Sequence, residues 1–194
     1  MLTADQRNAL ARLHQKYPNH YMEKFLRTRE AWVEDARSRA ARLSLVGAKP
    51  LRILDIGCGV PYFAIAAREL GHEVVGLDVP DEVIREAAQI MGFAYIGHTI
   101  DRLEALPPLG GPYDLVTMFG VNLRHPDMQW WRWDEWAELI RVILAEIVRG
   151  GRLVIQPNTG PYCSELLMDA ARWRLEDLPA SVEIAGAWLI FVKE

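Results

Sequence analysis

Cysteine is scarce in this chain: Cys58 and Cys163 are the only two. They build no disulfide framework, and neither a Cys-rich nor a His-rich cluster has metal-ligand spacing. A reducing, cytoplasmic setting is the expectation. Long apolar runs are missing too. None approaches the ~20 residues that span a bilayer, so no membrane association is expected. A signal-peptide pattern is lacking, because Asp5, Gln6, Arg7 and Asn8 interrupt the N-terminus early. Neither internal repeats nor low-complexity stretches occur. At 51% hydrophobic and 25% charged residues, disorder and fibrous architectures are excluded. The 194 residues are enough for one domain with a full core, built without metals or disulfides.

Two asymmetries stand out in what is present. The net charge is −4, yet residues 1–50 hold ten Lys/Arg against five Asp/Glu. The remainder is correspondingly acidic. Tryptophan is the second: four of the seven fall between residues 130 and 136.

Residues 1–50 read as helices. Thr3-Ala4-Asp5-Gln6 fits a capping box, with Leu10, Leu13 and Tyr17 on one face and Pro18 as the stop. A longer helix is predicted from Tyr21 to Val46 on the spacing of Phe25, Trp32, Ala36 and Leu43, with Gly47 as its C′ residue. From residue 51 the rhythm changes. Strands are predicted at 51–56, 73–77, 93–97, 113–118 and 153–156, with helices at 60–70, 81–91, 133–148 and 162–175 between them. Gly150-Gly151 is read as the breaker of the 133–148 helix. Residues 181–185 and 187–192 read as a terminal hairpin about Gly186. This alternation predicts a doubly wound α/β fold with a mainly parallel sheet. The whole chain, 1–194, is expected to form a single domain.

In such sheets, ligands bind beyond the C-terminal strand ends. The first strand runs into Asp55-Ile56-Gly57-Cys58-Gly59-Val60-Pro61-Tyr62. Gly57 and Gly59 permit a tight turn and close approach of a ligand. A dinucleotide fingerprint would want glycine at position 62, which is tyrosine. That disfavours a nicotinamide-dependent oxidoreductase. Asp55 suits a cationic ligand better than a pyrophosphate. The second strand ends at Asp78, 19 residues after Gly59, where a carboxylate can accept both hydroxyls of a ribose. The alternative for Asp78 is a cap on the following helix. Cys58 reads as a small packing residue of the loop.

Ile53-Leu54-Asp55-Ile56-Gly57-Cys58-Gly59 resembles the first motif of class I S-adenosylmethionine-dependent methyltransferases. Asp78 matches the acidic residue that binds the cofactor's ribose in that family. Tyr113-Asp114-Leu115-Val116 is similar to its fourth strand, and Arg149-Gly150-Gly151-Arg152-Leu153-Val154-Ile155 to the turn into its fifth. The resemblance covers roughly residues 50–194. It implies a seven-stranded Rossmann-like sheet of order 3-2-1-4-5-7-6, the last strand antiparallel, with residues 1–50 as a helical lid on a 51–194 core. It also implies S-adenosyl-L-methionine as cofactor. Candidate cofactor contacts are Asp55, Gly57, Cys58, Gly59, Asp78, Val79, Ile100, Asp101 and Phe119. Either Asp101 meets the adenine amine or Ile100 packs on the ring. The family's third loop glycine is Pro61 here, which the first turn of a helix accommodates.

Methyl transfer needs a nucleophile held in line with the methyl group, and in some cases a base. The loop after the fourth strand offers Asn122 to orient an acceptor, Arg124 to hold an anionic group and His125 as general base. Local capping is the plainer role for His125. Tyr21, Trp130, Trp131 and Asn158 are candidate substrate contacts, whereas Trp133 and Trp136 fall on a core stripe. His14 and His20 are expected to be solvated. A small or medium-sized acceptor methylated at O or N is the leading expectation. An RNA or protein acceptor bound by the basic helices is the alternative within enzymes, and a non-catalytic nucleoside-binding protein is the alternative outside them.

Overall fold

The computed structural model describes residues 2–101, 106–121, 131–158 and 178–194. Seven strands form a sheet of order β3-β2-β1-β4-β5-β7-β6. They are β1 Arg52–Ile56, β2 Glu73–Asp78, β3 Ala94–Gly97, β4 Tyr113–Phe119, β5 Ile147–Gln156, β6 Ala180–Ala185 and β7 Trp188–Lys193. β7 runs antiparallel to both β5 and β6. This is the order and the antiparallel strand that the motif resemblance implied. The chain divides into two compact units, Met1–His98 and Thr99–Glu194.

In the first unit, β1 pairs with β2 and β2 with β3, all parallel. β1 is buried from Ile53 through Ile56, and its near-continuous apolar run suits a strand covered on both faces. Two helices return between these strands, α4 (Tyr62–Glu69) and α5 (Glu82–Ile90). The N-terminal helices belong to the same unit. α1 (Ala4–Lys16) starts on the predicted capping box and buries Leu10 and Leu13. It lies on α5, where Lys16 meets Glu86 at 2.7 Å and the Tyr17 hydroxyl donates to Glu86 at 3.0 Å.

The single helix predicted from Tyr21 to Val46 is two, α2 (Glu23–Arg27) and α3 (Arg29–Arg42). They break at Thr28, whose hydroxyl donates back to the Lys24 carbonyl at 2.8 Å while its backbone leaves the helical region. Threonine side chains compete with the helix for its carbonyls in this way. Gly47 is not the C′ residue of α3. Ser44 holds that position at φ 59°, with Ser44 N–H donating to Ala41 and Leu45 N–H to Ala40. Those are the two bonds of a Schellman motif.

In the second unit, β4 and β5 are parallel and β6–β7 is a hairpin turning on Gly186-Ala187, with Ala185 opposite Trp188. α6 (Trp133–Ala145) ends before the predicted limit at Val148. Gly150-Gly151 does not break a helix. It lies inside β5, beside a register shift between Tyr113 and Leu115. A Cβ on Gly151 would come within 2.9 Å of the Asp114 carbonyl, so the close strand approach requires glycine there. The predicted helix at 162–175 lies outside the described residues.

Candidate functional site

The loop after β1 is shaped by two left-handed glycines, Gly57 at φ 72° and Gly59 at φ 50°. Gly57 N–H donates to the Leu77 carbonyl at 2.7 Å, which folds the loop back across the end of β2. Asp78 closes the turn. One carboxylate oxygen accepts Gly59 N–H at 2.7 Å, and the other accepts Val79 N–H at 2.8 Å. A carboxylate offers about four acceptor positions, so two stay available for donors from outside. Burial raises the Asp78 pKa above that of an ordinary aspartate, and the two backbone donors oppose that rise.

The helix-cap alternative for Asp78 is settled by Asp81. Its carboxylate accepts the Val83 and Ile84 N–H groups at the start of α5. Asp55 is buried within β1, opposite Gly76. The Cys58 thiol is packed inward, and a Cβ on Gly76 would come within 2.7 Å of its sulfur and 2.5 Å of the Phe93 ring. Burial, with the nearby Asp55 and Asp78 carboxylates, pushes that thiol well above the usual range. It is therefore a floor of the loop, and whatever Cys58 offers a ligand is backbone.

The segment before α2 covers this loop. Met22 is buried, and its Cε lies 3.4 Å from where a Gly59 Cβ would stand. His20 is not solvated: its Nε2 meets Asp81 at 3.0 Å. Nor is His14, whose Nε2 meets Glu23 at 3.1 Å. Tyr21 keeps 58% of its surface exposed. Its hydroxyl pKa is raised by partial burial and by the Asp81 and Asp78 carboxylates beside it. Tyr62, where a dinucleotide loop would carry glycine, buries its ring and donates its hydroxyl to the Phe25 carbonyl at 2.9 Å. Sequence reading missed Met22, His20 and Tyr62 as parts of one wall. No local pattern announces them, because each acts on a residue 37 or more positions away.

In the second unit, Asp101 Oδ1 is buried with no hydrogen-bond partner among the described residues. Phe119 ends β4 and packs its ring 5.7 Å from that of Trp188. Gln156, opposite Phe119 at the end of β5, has a buried side-chain oxygen with no partner among the described residues. A lone amide ending the apolar run Leu153-Val154-Ile155 was the signal for it. Ile100 and Trp131 line one cleft of about 460 Å³ with Leu106 and the Glu135 face of α6. Trp131 is buried edge-on against Trp136, at 6.3 Å between ring centres. Trp136 is core, as its stripe predicted. Glu135 accepts Arg132 N–H at 2.7 Å and so caps α6. Asn158 is exposed after β5. Asn122, Arg124, His125 and Trp130 lie outside the described residues. Among the described residues no group of three or more His, Cys, Asp or Glu could hold a metal ion, and no helix is long and apolar enough to cross a membrane.

The sequence profile of a family described as a methyltransferase domain matches residues 19–182. The chain belongs to the methyltransferase domain family. It is a class I, S-adenosylmethionine-dependent methyltransferase, as the motif resemblance implied. Solved structures share its fold. A TehB-like SAM-dependent methyltransferase from Corynebacterium glutamicum superposes with a TM-score of 0.54 at 20% identity, covering 82% of this chain and 88% of its own. Magnesium protoporphyrin IX methyltransferase from Synechocystis, solved with bound SAH, gives 0.54 at 17% identity, covering 96% and 94%. A ribosomal protein L11 methylase from Lactobacillus delbrueckii gives 0.51 at 21%, covering 84% and 77%. At these identities the likeness carries the fold of the methyltransferase and not its acceptor. No curated protein sequence matches the chain.

Proposed function

We propose that this methyltransferase transfers the methyl group of S-adenosylmethionine to an oxygen or nitrogen of a small or medium-sized acceptor. The observation that carries the donor side is Asp78. It is pinned to the loop by Gly59 and Val79 and keeps acceptor positions for two ribose hydroxyls. Asp101 Oδ1 is the candidate for the adenine amine, being a buried carboxylate oxygen with no donor among the described residues. Gly57 and Gly59 let the backbone approach the methionine moiety, with Asp55 favouring its cationic end. Ile100, Phe119, Val79 and the Cys58 backbone complete the donor contacts.

The bound donor supplies an activated methyl on a sulfonium. The chain's task is to bind, orient and exclude water, with His125 as base and Asn122 and Arg124 as acceptor contacts. Tyr21, Trp130, Trp131 and Asn158 are the acceptor-facing set. Residues 1–50 are proposed as a helical lid on the 51–194 core.

A small acceptor is favoured over nucleic acid by the state of the basic helices. Lys16, Arg27, Arg29, Arg37 and Arg39 each pair with an acid of the chain itself. A nucleic-acid surface needs cations left over for phosphates. The test is S-adenosylhomocysteine formation against a panel of hydroxyl, amine, protein and RNA acceptors. Turnover on a small hydroxyl or amine compound supports the reading, and turnover only on RNA or protein contradicts it.

A further inference from the structure

We propose that His20 is a positioning residue of the donor site, fixing the stretch 20–22 as its outer wall. This rests on the donor reading above. The His20 ring is used at both nitrogens. Met22 N–H donates to Nδ1 at 3.2 Å, and Nε2 stands 3.0 Å from Asp81 Oδ2. A nitrogen that accepts a backbone N–H carries no proton, so the ring is the neutral Nε2–H tautomer and donates to Asp81.

Each end of that bridge matters to the loop. Asp81 uses its other oxygen to cap α5, three residues after Asp78. Met22, held through its own N–H, is the side chain that meets Gly59. Tyr21 lies between them, its ring 4.4 Å from the His20 ring and its hydroxyl beside Asp81 and Asp78. One imidazole therefore sets two facing parts of the ribose end: the start of α5 on one side, and Met22 with Tyr21 on the other. The more distant contacts, Lys16 and Tyr17 to Glu86, hold α1 to α5 but do not reach this loop. His20 reaches it through Asp81 and Met22, beside the Tyr21 hydroxyl that also bonds Asp81, so its loss should loosen the wall while the helices remain docked.

The test compares wild type, His20→Leu and His20→Gln by calorimetric titration with S-adenosylhomocysteine, with thermal midpoints measured on the ligand-free proteins. A two-bond nitrogen–proton NMR spectrum of wild type reads the tautomer without any substitution. The account expects the Nε2–H form. His20→Leu should bind about tenfold more weakly, the scale of one hydrogen bond to a charged group. His20→Gln keeps a donor toward Asp81 and should come within about threefold of wild type, with midpoints within about 3 °C throughout. Wild-type affinity in His20→Leu overturns the proposal. So does equal loss in both variants, or a proton on Nδ1. If His20→Leu does not fold, the glutamine variant and the tautomer still decide. Failure of wild type to bind is a different result, which removes the donor reading itself.

Discussion

Asp78 holds its carboxylate in a partly buried turn where, among the described residues, two of its acceptor positions are filled. Asp78→Ala should lower S-adenosylhomocysteine affinity at least tenfold, read by calorimetry, since two hydrogen bonds to a charge are worth about 1.5–3 kcal/mol each. The raised pKa has a sign that can be checked. Ribose hydroxyls donate to the ionised carboxylate, so affinity should fall as pH is lowered through the Asp78 pKa. The fall should begin at a higher pH than an ordinary aspartate, near 3.8, would give. For the ligand-free fold the linkage runs the other way. A carboxylate with a raised folded pKa contributes stability below its unfolded pKa and loses it as pH rises through the folded value. Gly76 is a second single-residue test. Gly76→Ala drives a methyl group into Phe93 and Cys58 and should cost about 1–3 kcal/mol in a urea titration. Asp55, Gly57, Gly59 and Asp78 were legible in the sequence, because short loops at strand ends are local. His20 and Met22 were not, because their partners Asp81 and Gly59 are brought to them only by folding.

Elements were legible where one local rule decides them. The start of α1 follows from Thr3 and Gln6 alone: the Thr3 oxygen accepts Gln6 N–H at 3.1 Å, and the Gln6 side chain accepts Thr3 N–H at 2.9 Å. Boundaries failed where two signals overlap. Thr28 carries neither of the usual breakers, glycine or proline, yet it splits the predicted helix. Ile147 and Val148 continue the apolar spacing of α6 but belong to β5, whose pairing with β4 overrides that period. Ser44 shows the energetic side of such a boundary. A non-glycine residue in the left-handed region is strained, whereas glycine is not. Ser44→Gly should therefore raise stability by about 0.5–1 kcal/mol, seen as a higher urea midpoint with an unchanged slope.

Over the whole molecule, the uneven charge along the chain is partly internal. Basic residues of 1–50 enter pairs such as Lys16–Glu86, Arg37–Glu69 and Arg39–Asp35. Exposed pairs of this kind contribute little stability each, so their consequence is for partners. Five of the ten Lys/Arg of residues 1–50 are engaged in this way, which weakens the hold on an anionic polymer. Binding to RNA should accordingly be weak at physiological salt, as read by fluorescence anisotropy of a labelled oligonucleotide. The strand order was legible only through the motif resemblance, since alternation gives a parallel sheet without saying which strands adjoin. Of the tryptophan cluster, Trp131 and Trp136 pack together beside the α6 cleft. The proposed donor site is the loop of Gly57 and Gly59 with Asp78. Calorimetric titration of the whole chain with S-adenosylhomocysteine tests it most directly. Saturable binding at one site per chain, lost in Asp78→Ala, is expected. Absence of binding up to millimolar ligand, or full affinity in Asp78→Ala, would contradict it.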